Sequence, residues 1–412
     1  MIYDTIIVGA GASGLFASII SARDGKKTLL VEQLDKIGTK LLATGGGRCN
    51  LSNTLDDDSF MRSFGKNGKF LRDSIKEFNH KDLVLFLDSI GVKTHIPDGF
   101  RIFPTSHNSS TVIDAFLKEL KRLNIDILYN HKLEDLIIES NIIKGVVVSN
   151  KTLFAKKTVL ATGGLGYKNL GSSGESFDIL KKYNHTITAL YPAMMPLFTK
   201  QKWVKNCTAD TIPKVTIKVN LPKEKRLKNI KATGDLIFTK DGIRGPVVLD
   251  FAREITPYLD NYSEVPILLH LTKLKNENDL IEFIKNSIKK DSSITISAIL
   301  IKLLPKSVVE EFCNIIDINP SSQYKNIIGI KKEQLHKFVI STPLDIVGHK
   351  GFKNAMITRG GVSLKEIDPK TMQSKIIKNL YFCGEMVDID GPCGGYNLQW
   401  AFSSGYLCGK KV

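Results

Sequence analysis

Residues 3–32 read YDTIIVGAGASGLFASIISARDGKKTLLVE. Tyr3 to Val8 is a short apolar run of the kind that forms a strand buried on both faces. Gly9-x-Gly11-x-x-Gly14 follows, then small and apolar residues from Leu15 to Arg23 in a helical pattern, with Gly25 marking the end. A second apolar run, Thr28 to Val31, stops at Glu32. Strand, glycine turn, helix and strand within about thirty residues is the opening of a dinucleotide-binding fold. Gly9, Gly11 and Gly14, with Ala12 and Ser13 between them, give the tight turn and close backbone approach a pyrophosphate needs. Glu32, followed by Gln33, stands where a carboxylate accepts hydrogen bonds from both hydroxyls of a ribose.

FAD and NAD share that first site, so the rest of the chain must separate them. Leu42 to Asn50 reads LATGGGRCN. Gly45, Gly46 and Gly47 are read as permitting close approach to a large planar or anionic ligand, with Arg48 as a fixed cation and Cys49 and Asn50 beside it. Ala161, Thr162 and Gly163 close a later strand into a glycine turn. Tyr381 to Gly405 reads YFCGEMVDIDGPCGGYNLQWAFSSG. A strand ends there at Gly384-Glu385, a loop carries Asp388 and Asp390, and Gly394-Gly395 opens an uncharged helix at Tyr396 and Asn397. A second strand–glycine–helix unit so far from the first fits a cofactor gripped at both ends, with a helix N-terminus facing the ring system. That favours FAD, held non-covalently. No second complete G-x-G-x-x-G occurs, so NADH or NADPH enters only as a candidate transient electron donor.

Further out, Leu83–Ile90 and Val112–Leu123 read as helices. Ile125–Tyr129, Leu136–Glu139, Ile143–Val148 and Lys157–Ala161 read as strands. The pattern changes near Pro192, where strand-like stretches such as Lys214–Val219 and Ile267–Leu271 precede a helix-rich portion from about Asn278 to Phe338. It resumes at Met356–Thr358 and Leu380–Cys383. The expected architecture is α/β: a Rossmann-like FAD-binding domain of residues 1–191 and 344–412, interrupted by an insert at 192–343. The insert divides into a β-rich part (about 192–275) and a helical part (about 276–340).

Fifty-eight Lys and Arg against 42 Asp and Glu give a formal charge of +16 and a pI near 9.4. Compositional drift is the favoured reading, and a nucleic-acid partner the less favoured one. The denser run Lys223–Lys231 (KEKRLKNIK) reads as a solvated face. Six cysteines without C-x-x-C spacing exclude a disulfide scaffold and read as reduced thiols of a cytoplasmic protein. No metal-ligand spacing, signal peptide or transmembrane helix is expected, so neither metal nor membrane is called as a partner. The uncharged stretches Thr5–Ala22 and Gly391–Gly409 are broken by glycines and polar residues.

The segments GAGASG (9–14), TGGGRCN (44–50), GFRIFP (99–104), ATGG (161–164), FTKDGIRGPVVL (238–249), TRGGVSLKEI (358–367) and FCGEMVDIDGPCGGYNLQWAFSSG (382–405) together resemble the BaiN/YhiN-like family of FAD-binding proteins, also described as the aminoacetone oxidase family. The resemblance implies a β-barrel-like insert with a small helical part. It implies either reduction of a conjugated double bond in a bile-acid-like 3-oxo steroid or oxidation of aminoacetone. It carries the cofactor role onto the residues named above and onto Lys40, and it implies backbone contacts near Leu133. Catalytic residues are unassigned: Arg101, Arg244, Arg359, His107, His349, Cys49 and Cys393 are candidates only. The leading function is an FAD-dependent oxidoreductase moving a hydride between flavin N5 and a small or steroid-like substrate. A flavin-dependent enzyme acting on RNA and a non-catalytic flavoprotein are the alternatives. The oligomeric state is unread.

Overall fold

The computed structural model describes residues 2–221, 224–259 and 262–412. The chain divides into two compact units, residues 1–192 with 356–412, and residues 193–355.

In the first unit, Ile2–Val8 pairs in parallel with Thr28–Val31 on one side and Lys151–Leu160 on the other. Asp126–Leu128 extends the sheet beyond Thr28–Val31. The long strand Lys151–Leu160 is shared. Its first half pairs with the antiparallel hairpin of Leu133–Glu139 and Ile142–Val148, and its second half with Leu380–Phe382 in parallel. Val8 is registered with Val31 and with Leu160, Val31 with Leu128, and Leu160 with Phe382. Five parallel strands therefore end level, and the C-terminal edge of such a sheet is where α/β folds bind ligands. The apolar strands are buried on both faces, as Ile6, Ile7, Leu30, Val159 and Phe382 show. Phe16 of the first helix anchors an aromatic cluster against Phe78, Phe86 and Phe402.

The first helix, Ala12–Arg23, is tied at its end to helix Ser109–Arg122. Glu119 accepts from Arg122 Nε (2.7 Å) and from Arg23 Nε (2.9 Å). Arg122 first, then Arg23, holds the Glu119 carboxyl down to about 2, against an ordinary 4.5. A folded value below the unfolded one contributes stability above the unfolded value that is lost as pH falls through the folded value. Acid titration of unfolding is expected to show a stability loss between about pH 4.5 and 2 that Glu119→Gln removes. Identical acid profiles would refute that assignment.

The second unit contains a closed six-stranded barrel. Its ring order is Leu197–Thr199, Gly242–Arg244, Lys231–Thr239, Thr211–Val219, Val265–His270 and Thr342–His349. Val215, Ile217, Phe238, Ile267, Leu269 and Ile346 fill it. Helices Glu277–Lys290, Ile296–Leu300, Lys306–Ile316 and Gly329–Ile340 follow in the helical part. Strand Lys231–Thr239 carries polar residues at Thr233 and Asp235 and has no apolar run in its first half, so periodicity does not expose it. Among the described residues no helix is long and apolar enough to cross a membrane. Lys223, at the head of the basic run, lies outside the described residues.

Candidate functional site

The glycine turn sits at the level edge of the parallel strands. A side chain at Gly14 would put its Cβ 1.8 Å from the Gly9 carbonyl oxygen, so the turn itself demands glycine there. Gly11 differs. Its backbone is extended (φ −78°, ψ −173°), which any residue adopts, and an added Cβ would meet nothing within 4 Å. Nothing in the described protein requires glycine at this position, and the open space lies directly at a helix N-terminus. The first-turn N–H groups of Ala12, Ser13 and Gly14 have no intrahelical carbonyl, no side chain caps them, and no acidic residue stands in the turn. This is a ready cradle for a pyrophosphate.

Glu32 is buried beside it. Its carboxylate accepts from the Ala10 N–H (2.7 Å) and the Leu34 N–H (2.9 Å), which fixes the turn. Burial pushes the carboxyl up and these N–H bonds oppose that. Each oxygen keeps acceptor capacity for a ribose hydroxyl. Gln33 is turned elsewhere, donating to the Gly171 carbonyl (2.6 Å). The Asn130 and His131 N–H groups bond the carbonyls of Leu34 and Glu32, so the 129–131 segment borders this end. Leu133, which the resemblance pointed to, opens the outer hairpin strand two residues further on. Ala161 bonds Val8, and Thr162 Oγ1 meets Ser176 Oγ at 2.6 Å, both at the same strand edge as Gly163.

Thr44–Gly47 forms a short 3-10 turn in which Gly45, Gly46 and Gly47 have φ of +59°, +66° and +86°. The sequence expectation gave these glycines to ligand approach. Three consecutive left-handed residues require glycine from the backbone alone. Arg48 is exposed, with Nε on the Gly45 carbonyl (3.2 Å) and its guanidinium over the Phe103 ring. With its amide turned so that the oxygen accepts from the Gly395 N–H and the nitrogen donates to the Ser52 carbonyl (both 3.1 Å), the orientation that satisfies both groups, Asn50 ties this turn to the last helix. Cys49 is fully buried and its thiol is pushed up to about 12 by that burial. It is no nucleophile near neutrality. Native protein is expected to leave Cys49 unalkylated by iodoacetamide at pH 8, and Cys49→Ala to keep its flavin. Rapid labelling by peptide mass mapping would overturn this.

At the C-terminal unit, Glu385 accepts from Lys40 Nζ (2.6 Å) and from the Thr358 N–H (2.9 Å). Thr358 Oγ1 in turn accepts from the N–H groups of Leu165 and Gly166, joining the two glycine turns. Sequence reading did not single out Thr358, whose signal is a hydroxyl next to Arg359-Gly360-Gly361. Asp388 is half-buried. Burial pushes its carboxyl up, against a Thr188 hydrogen bond and the charges of Lys66 and Arg359. Arg359 stands 4.0 Å from Asp390. Asn397 folds back on its own loop, accepting from the Gly391 N–H (2.8 Å) and donating to the Gly391 carbonyl (2.9 Å). The Tyr396 ring stacks on Phe60. Of the other candidates, Arg101 pairs with Asp98, His107 lies against His95, and His349 Nδ1 accepts from the Gly351 N–H. Arg244 is exposed at the end of a barrel strand and Cys393 is exposed beside Gly394.

One relation links the two ends. A Cβ at Gly405 would lie 2.4 Å from the Ser13 carbonyl oxygen, and one at Gly409 would lie 2.8 Å from that of Ala17. Four residues along one helix match four along the other in the same direction, so helices Ala12–Arg23 and Tyr396–Lys411 run parallel in close contact. Ser13 is the second residue of its helix and Gly405 the tenth of the other. The last helix therefore begins about eight residues earlier, a stagger of about 12 Å at 1.5 Å per residue. Its first turn, like that of the first helix, has no side-chain cap and no acidic residue. Two uncapped N-termini point the same way, about 12 Å apart along the axis. One suits a pyrophosphate and the other an anionic ring edge.

A family described as "HI0933-like protein Rossmann domain" matches residues 3–411. A 3-dehydro-bile acid delta(4,6)-reductase of Clostridium scindens is 31% identical over 98% of this chain and 98% of its own length. A ribosomal RNA dihydrouridine synthase of Haemophilus influenzae is 28% identical over 99% of this chain and 98% of its own. Among solved structures, a 3-ketosteroid-delta4-(5alpha)-dehydrogenase of Rhodococcus jostii shares the fold, with a TM-score of 0.52 at 13% identity over 99% of this chain and 96% of that one.

Proposed function

The chain belongs to the HI0933-like Rossmann family of FAD-dependent oxidoreductases, and from that premise we propose that it reduces a carbon–carbon double bond conjugated to a carbonyl. The staggered pair of uncapped helix N-termini supports this reading most, because it fits a cofactor with a pyrophosphate at one end and a ring system at the other. FAD, once reduced, supplies the hydride for the β-carbon of such a bond. The chain's own part is binding and orientation. The amides of Ala12, Ser13 and Gly14 hold the pyrophosphate, and Glu32 takes the ribose. The N–H groups at Tyr396 and Asn397 face the ring edge where negative charge gathers, and Asn50 fixes that helix start. Lys40, paired with Glu385, places a cation and a hydrogen-bonded carboxylate beside the middle of the cofactor. NADH or NADPH is the proposed donor, visiting the flavin directly.

Two substrates share this chemistry. A 3-oxo-Δ4 steroid presents its double bond next to the C3 carbonyl, and uracil presents C5=C6 next to the C4 carbonyl. The relatives' names divide between them. The +16 charge favours uracil in RNA as a second, more specific reading, since a polyanion gains from every unpaired cation. The test is anaerobic. Holoenzyme reduced with NADPH is mixed in parallel with in vitro transcribed ribosomal RNA and with 4-androstene-3,17-dione, and return of the oxidised flavin band at about 450 nm is followed. Reoxidation matched mole for mole by saturated product assigns the substrate. Reoxidation by neither, with the band returning only when air is admitted afterwards, would refute the reductase reading.

A further inference from the structure

We infer that the barrel hairpin formed by Thr211–Val219 and Lys231–Thr239 is a docking surface for the phosphate backbone of RNA. The inference rests on the RNA reading above and adds the place of contact. Between Thr211 and Thr239 seven Lys and Arg stand against two acids, Glu224 and Asp235. Val215, Ile217 and Val219 point into the barrel, and Lys214, Thr216 and Lys218 alternate with them outward. On the partner strand Lys231, Thr233 and Asp235 are exposed.

The register then produces an arrangement the fold itself does not favour. Lys218 lies directly across from Lys231, and Thr216 from Thr233. Like charges directly opposite on a sheet face repel, and a neutral or acidic partner would serve the barrel better. The two threonine hydroxyls bond each other at 2.9 Å beside that pair. Asp235, the one acid of these two strands, accepts from the Lys214 N–H (3.1 Å). Past the strand ends, Lys225, Arg226 and Lys228 are exposed on the connecting turn while Leu227 is buried beneath them and anchors it. Among the described residues none of Lys214, Lys218, Lys225, Arg226, Lys228 and Lys231 makes an ion pair. Lys218 and Lys231, held opposite each other by strand register, and the exposed cations of the turn match a phosphate backbone, which repels none of them and releases counterions on binding. No aromatic side chain interleaves with them, so the surface fits backbone contact and not base stacking.

The experiment uses the full-length holoprotein and bulk ribosomal RNA, with affinity measured between 50 and 250 mM KCl, where a salt slope of about 0.7–0.9 per phosphate contact is expected. The Lys218→Gln/Lys231→Gln double variant should bind about tenfold more weakly and lose roughly 1.5 from that slope. Lys218→Arg/Lys231→Arg should restore both, and Lys285→Gln/Lys289→Gln, on an exposed helix of the same unit, should change neither. Circular dichroism and the thermal melt, compared with wild type, report that each variant is folded. If wild-type protein fails to bind RNA at low salt, the RNA reading itself falls and this surface with it. If wild-type binds and the Gln variant keeps its slope, the hairpin assignment alone is overturned. Loss of binding to phosphatidylserine vesicles with RNA binding intact would overturn it in favour of a membrane surface.

Discussion

Gly11→Val is expected to give a folded protein that holds no FAD. The extended backbone at Gly11 accepts valine without strain, and no protein atom lies within 4 Å of the added Cβ. The branched side chain would instead fill the space in front of the first helix, where the pyrophosphate has to approach the amides. The loss of cofactor affinity should be at least about 3 kcal/mol, roughly a hundredfold or more. Circular dichroism of the variant should match that of apo wild-type protein. Gly14→Val supplies the contrast. There the Cβ would sit 1.8 Å from the Gly9 carbonyl, a backbone atom with no room to move. Overpacking of that kind costs about 1–3 kcal/mol or more and should reduce soluble yield as well as flavin. A yellow Gly11→Val protein would mean that the phosphates lie elsewhere.

Gly405→Leu is expected to lower stability and release the flavin together. Its Cβ would approach the Ser13 carbonyl to 2.4 Å at the crossing of the first and last helices. The helices must separate or slide, which costs about 3 kcal/mol and lowers Tm by about 6–12 °C for a unit of this size. Sliding also changes the stagger between the two N-termini. FAD should therefore weaken more than the loss of stability alone explains, which is checked by titrating FAD at a temperature where the variant is still folded. An unchanged Tm with full flavin content would show that this contact does not set the spacing.

The sequence carried the sheet and the glycine turn plainly, because Tyr3–Val8 and Leu380–Cys383 are apolar runs that stop at a glycine, and Thr28–Val31 is one that stops at Glu32. The partnership of the first and last helices was not legible. It depends on Gly405 and Gly409 facing Ser13 and Ala17, nearly four hundred residues away in the chain, and small residues inside an uncharged helix look alike whether they face a helix or a sheet. The triple glycine was read as a ligand feature, and the left-handed backbone at all three positions is a second reason for glycine that spacing does not show. Asn397 was read with the ring system without its side-chain amide bonds to Gly391, which leave its backbone N–H for that role. Arg359 was weighed as an anion receptor without Asp390, which comes close only when the loop folds. Side-chain roles of this kind are set by tertiary neighbours, and spacing does not encode them. The basic run at Lys223–Lys231 read as a solvated face, since only strand register puts Lys231 opposite Lys218.

The most direct test of the two-station grip is a calorimetric titration of the apoprotein with FAD, FMN and NAD side by side. In the proposed grip FAD reaches both helix N-termini. FMN lacks the pyrophosphate and adenosine, and NAD lacks the flavin ring. The account predicts one FAD per chain, bound at least about a hundredfold more tightly than either of the others, a gap of about 2.7 kcal/mol. Equal affinity for FMN, or NAD binding that excludes FAD, would contradict it.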